Sequence, residues 1–284
     1  MGAASNSSNP GRPLWTGSPV SGAAIEPASS RLGFLTTLAV AALALTAFAL
    51  YLGLALQWGR GTFPGIFVTP ALVVDQTTPV EHGSWPGLAA GLMPGDRIVS
   101  LNGDDLGATL DALDRFHALS HSLAPGQRIS VGFERPADRL DDTAAGVTCA
   151  EPRDGVAQCV VDYTVAALPR ADLVALALIP FATALALLAA GLIVLRMRAH
   201  QPTALIVSAL CFSQSIFTAG LFDRLTTHAL IPVWLLATLA LAACFGLLAI
   251  YYPVHNARLN ARPYWRFLPP TLAAVLGLIV LSLD

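Results

Sequence analysis

Pro86-Gly87-Leu88-Ala89-Ala90-Gly91-Leu92-Met93-Pro94-Gly95-Asp96-Arg97-Ile98-Val99-Ser100-Leu101-Asn102-Gly103 decides how the middle of the chain folds. The stretch reads as a short helix, a tight Pro-Gly-Asp turn, an alternating strand and a second turn. Ala89, Ala90 and Leu92 supply the packing face of the helix, and Ile98, Val99 and Leu101 carry the strand. Pro94-Gly95 provides turn backbone, and Asn102-Gly103 is a strong signal for a hairpin or tight turn.

Working outward, residues 57–170 are polar and punctuated by Gly and Pro, so this is the region able to fold in water. Ile66-Phe67-Val68 and Ala71-Leu72-Val73-Val74 read as first strands broken at Pro70. Leu106, Leu110, Leu113, Phe116, Leu119 and Leu123 recur at helical spacing and predict a helix over 106–123. Arg128 to Arg135 alternates as a half-buried strand, and 147–165 reads as a hairpin around Arg153-Asp154-Gly155. The segment 86–103 resembles the A-G-L-x-x-G-D-x-I-x-x-I-N-G core of bacterial PDZ domains, with Leu101 in place of the usual Ile. The resemblance covers about 65–135, and 145–168 more loosely. It implies a strand, short helix, strand, long helix and closing strands, with Gly91, Gly95, Asp96, Asn102 and Gly103 forming the core turns.

The chain as a whole is 55% hydrophobic and 12% charged, too apolar for an ordinary water-soluble domain. Its net charge of −2 and lack of a basic patch with interleaved aromatics argue against nucleic acid. Residues 1–31 are rich in Ser, Gly, Ala, Pro and Asn and read as a disordered cytoplasmic tail. Residues 32–56 form an apolar run far longer than a cleavable signal core, hence an uncleaved anchor. Further apolar segments follow at about 172–195, 203–222, 229–252 and 267–283. The expected fold is therefore a membrane α-helical bundle of five spans with an inserted α+β PDZ-like domain. Arg196, Arg198, Arg258, Arg262 and Arg266 lie in short loops without acids, which the positive-inside rule places in the cytoplasm. The domain at 57–170 then lies outside the cytoplasm of a bacterial inner membrane.

Arg196-Met197-Arg198-Ala199-His200-Gln201-Pro202, Gly220-Leu221-Phe222-Asp223, Thr226-Thr227-His228 and Leu247-Leu248-Ala249-Ile250-Tyr251-Tyr252-Pro253 extend the resemblance. Together they are similar to the multi-span sensor regions of peptide-pheromone quorum-sensing histidine kinases. That implies a sensory input region whose PDZ-like domain binds a peptide or protein outside the cytoplasm. A scaffold subunit docking a neighbouring membrane complex, or a regulatory partner of a membrane protease, fits the same pattern. Expected partners are a peptide or protein ligand and membrane lipid, with a homodimer left open. No cofactor is expected. No protease, hydrolase or P-loop motif occurs, so the chain is not expected to be an enzyme. A last apolar segment of only 17 residues carries the further expectation of additional spans and a cytoplasmic output domain.

In PDZ domains a strand edge and a helix accept an extended chain by β-augmentation, amides holding its terminal carboxylate. The resemblance assigns that loop to Phe63, Gly65, Ile66 and Phe67. Pro64 removes one amide donor, which leaves an internal segment or a purely structural fold open. Cys149 and Cys159 flank the proposed hairpin. A three-residue loop with Gly155 left-handed sets them directly opposite each other, where they either pair as a disulfide or, after a one-residue slip, stay as buried thiols. His117 and His121, four apart with Asp114 one turn earlier, have metal-site spacing, but a solvated helix face needs the same residue types and Leu110, Leu113 and Phe116 already define the buried side. No metal site is assigned. Ser208, Cys211, Ser215 and Thr218 share one face of the third span and should turn toward other helices.

Overall fold

The computed structural model describes residues 27–107, 111–142, 144, 146–198, 200–251 and 263–283. Most of residues 1–31, Leu110, and Arg258 and Arg262 of the last loop lie outside the described residues. The chain is mostly helical with one small antiparallel sheet.

Four helical stretches are long and apolar enough to cross a membrane: Phe34–Trp58, Arg170–Arg198, Pro202–Leu225 and Ile231–Tyr251. The first is the C-terminal part of α1 (Pro27–Trp58), so helix already begins within the stretch read as tail. We label the others α4 (Arg170–Arg198), α5 (Pro202–Leu225) and α6 (Ile231–Tyr251). The fifth expected span is α7 (Leu268–Leu283), whose 16 residues extend about 24 Å against a core of roughly 30 Å. Among the described residues the count is therefore four candidate spans rather than the five expected.

Proline positions explain the local helix geometry. Pro202 occupies the first turn of α5, where its missing N–H costs nothing. Pro180 instead lies inside α4. It cannot donate back to the preceding turn, and the adjacent Val174–Leu178 winds as a π-turn, with Ile179 donating to the Val174 carbonyl.

The centre of the bundle is α5. Phe212, Ile216, Ala219 and Phe222 on it pack against Ala44, Ala47 and Tyr51 of α1 and Phe181, Ala184 and Leu188 of α4. Ser208, Ser213, Ser215 and Thr218 are buried along the same helix, and Ser215 donates to the Ala184 carbonyl at 2.8 Å. Hydrocarbon offers no partners to these hydroxyls, so the polar face turns inward.

Between α1 and α4 lies the sheet, in spatial order β2 (Asp104–Asp105), β1 (Arg97–Leu101), β3 (Arg128–Pro136), β5 (Val156–Thr164) and β4 (Val147–Cys149). Its inner face carries Ile98, Leu101, Ile129, Val131, Phe133, Ala157, Cys159, Val161 and Tyr163. The short α2 (Pro86–Ala89) and the longer α3 (Ala112–Ser122) cover that core. Asn102 and Gly103, both at positive φ, form the two-residue turn from β1 to β2.

Three local expectations change. The helix starts at Ala112 rather than Leu106, because Gly107 sits at φ +70° and its amide bonds the Asp105 side chain. Residues 66–74 make isolated bridges, Val68 to Val74 and Val73 to Arg97, instead of full strands. The β4–β5 hairpin turns on two residues, Asp154 and Gly155, with Arg153 opposite Val156. Pairing Cys149 with Cys159 from that turn requires one extra residue on the β4 side, and Glu151-Pro152 absorbs it. The register expected for the cysteines is thus retained. They form a disulfide with Cα atoms 4.0 Å apart.

Candidate functional site

Segment 62–68 is held on three sides. Thr62 Oγ1 donates to the Leu123 carbonyl at 2.7 Å, Tyr163 donates to the Pro64 carbonyl at 2.7 Å, and the Phe63 amide bonds Ala166. Burial pushes the Tyr163 hydroxyl above its ordinary range, so it remains a donor there. Gly65 has φ +90°, and a side chain on it would run into the Gly87 backbone at the start of α2. Phe67 accepts from the Asp75 amide and Thr69 donates to Val73. By antiparallel alternation the polar groups of Ile66 and Val68 face the other way, toward α3. Their amides make no hydrogen bond among the described residues.

Opposite this free edge stands one face of α3: Phe116, His117, Ser120 and His121. Trp58 closes one end of the cleft, and Leu225 and Thr226 of the bundle close another. What remains is a cavity of about 20 Å³, room for one water. Ser120 Oγ and His117 Nε2 are buried without a partner. Unpaired amides on one wall and unpaired side-chain groups on the other give the cleft unspent hydrogen-bonding capacity. An extended chain segment could use both walls.

Of the residues assigned to the peptide loop, Ile66 and Phe67 line this cleft and Phe63 does not. Phe63 and Phe67 pack edge-to-face with Trp85, at 5.4 and 5.0 Å between ring centroids, in a fully buried aromatic knot. Trp58 of α1 joins that knot and touches Phe222 of α5 at 5.4 Å. These aromatics therefore join the sheet domain to the bundle.

Gly91, Gly95, Asp96, Asn102 and Gly103 lie elsewhere and do not line the cleft. Gly91 and Gly95 have φ of +109° and +95°. The Asp96 carboxylate accepts from the Met93 amide at 2.8 Å and from both Nε and Nη2 of Arg135, at 2.9 and 2.6 Å. Arg135 also donates to the Gly91 carbonyl at 2.8 Å, and both charged side chains are fully buried. This ion pair ties the Pro-Gly-Asp turn to β3. Cys149–Cys159 staples the edge of the sheet. The candidate residues thus divide among a cleft, a buried turn and a staple. No group of three His, Cys, Asp or Glu suited to a metal occurs among the described residues.

Residues missed in the sequence sit mostly at the domain–bundle junction. Trp85 and Asp172 are 87 positions apart, so no local pattern points to them. Thr226 and His228 lie in the quoted Thr226-Thr227-His228 stretch, but nothing local shows that they reach the cleft and His117. Arg135 was legible: it shares the inward positions of its strand with Ile129, Val131 and Phe133, and a buried Arg demands an acid.

Comparison with family models, curated proteins and solved structures finds no match for this chain.

Proposed function

We propose that this chain is the sensory input region of a bacterial transmembrane signalling receptor, histidine-kinase-like in plan. Its PDZ-like domain, outside the cytoplasm of the inner membrane, takes an extended peptide or protein segment along Ile66–Val68 by β-augmentation. One observation carries this reading: the free strand edge and α3 face each other across a cleft whose closing wall is Leu225 and Thr226 of the bundle. A chain entering there must displace the end of α5, the most buried of the four candidate spans. Binding outside is thereby coupled to helix positions in the membrane. Pro64 leaves fewer amides for a terminal carboxylate, so an internal segment is the favoured ligand.

The test is peptide selection against the full chain in lipid nanodiscs, with free-acid and amidated versions of each selected peptide. Hydrogen exchange should slow at Ile66 and Val68 on binding and change in 220–230, and amidation should cost little affinity. Binding that leaves 220–230 unchanged would favour the scaffold reading. Binding that leaves Ile66 and Val68 unprotected would overturn the site.

A further inference from the structure

The α5–α6 connection, residues 226–230, lies beside the cleft and carries His228. The His228 ring meets that of His117 on α3, with centroids 5.9 Å apart. His117 Nε2 and both ring nitrogens of His228 are removed from solvent without a hydrogen-bond partner. His228 also sits at φ +56°, a strained conformation for a residue with a side chain. The closed arrangement thus contains three unsatisfied nitrogens and backbone strain where a bundle loop meets α3. Such a contact is poised to release.

We propose that His117 and His228 form a proton-operated latch. Neutral rings pack together and hold the α5–α6 connection against the cleft; protonated rings repel and release it, exposing the strand edge. The latch deepens the receptor reading, on which it rests, by naming how the cleft is regulated.

The surrounding charges set the direction. Burial pushes His117 down to about 4, reinforced by His228 and His121 and opposed by Asp114. Burial also lowers His228, reinforced by Arg224. Asp223, the Thr226 carbonyl and Asp75 oppose it, yet neither ring nitrogen reaches a hydrogen bond of proper geometry. An exposed imidazole titrates near 6.5, so the closed form binds fewer protons than the open one. Closure is complete above about pH 6.5 and weakens as the pH falls toward about 4. With His117 alone titrating between those values, opening should rise roughly thirtyfold from pH 7.5 to 5.0.

Hydrogen exchange of the full chain in lipid nanodiscs at pH 7.5 and 5.0, corrected for intrinsic rates, tests the latch. Protection of 226–230 should fall by about that factor at pH 5.0 in the wild type. It should stay constant in the His117→Gln, His228→Gln double variant. An unchanged wild type, or the same response in a variant that keeps its β3–β5 protection, overturns the latch. If the variant loses that protection, a histidine NMR titration of the wild type decides instead. Two depressed titrations support the latch, and two near 6.5 overturn it. A selected peptide that deprotects 226–230 at pH 7.5 in a protein without the pH response would sink the latch and leave the receptor reading standing.

Discussion

Asp172, at the entrance to α4, accepts the indole N–H of Trp85 at 2.8 Å and the amide of Val80 at 2.7 Å, and is almost fully buried. Through this carboxylate the sheet domain is fastened to the second candidate span. Asp172→Ala would leave the buried Trp85 indole N–H without an acceptor and free the part-exposed Val80 amide to water, and should destabilise the junction by about 1–3 kcal/mol. Asp172→Asn keeps one acceptor and should cost less. Tryptophan emission during thermal unfolding of the full chain measures both. Equal melting of the three proteins would show that the carboxylate does not hold the junction.

The Arg135–Asp96 pair should be the costliest single contact in the sheet domain to break. Arg135→Leu strands a buried carboxylate and should destabilise by roughly 3–5 kcal/mol. Gly95→Val adds a side chain at φ +95° and should cost upward of about 1 kcal/mol. Urea unfolding followed by circular dichroism ranks the two. A Gly95→Val protein that unfolds with the wild type would contradict the turn geometry.

Replacing Cys149 and Cys159 together with Ser should lower stability by about 2–3 kcal/mol, the loop-closure entropy of a short ring. Non-reducing mass mapping of the wild type should recover the linked pair. The double variant should keep its β3–β5 exchange protection, because the staple lies at the sheet edge.

Orientation is testable in intact cells. A cysteine introduced at Asp141, exposed on the sheet domain, should react with an impermeant maleimide. One introduced at His200, between α4 and α5, should react only after permeabilisation. The reverse pattern would place the domain in the cytoplasm and remove the receptor reading.

Much of the local structure was legible because it is local. The Asn102-Gly103 turn follows from residues that tolerate positive φ. The disulfide followed from strand register, although the turn proved one residue shorter. A one-residue bulge restored the alignment, since the inward face of β5 already fixed Cys159 toward the core. Length alone identified the apolar runs, and length also separates α7 from the four longer candidates. Arg135 was within reach through strand alternation, yet its partner Asp96 is 39 residues away.

By itself, then, the sequence determined an apolar chain with helices long enough to span a membrane, a polar insert built on tight turns, and a cysteine pair in register. These depend on periodicity, turn chemistry and run length, which neighbouring residues set. Only the tertiary structure decided that Phe63 packs at the junction, that Asp172 anchors Trp85, and that His228 meets His117. Asp172 and Trp85 are 87 positions apart, and His228 and His117 are more than 100. Their partners are chosen by how the bundle packs against the sheet, and no local pattern encodes that packing.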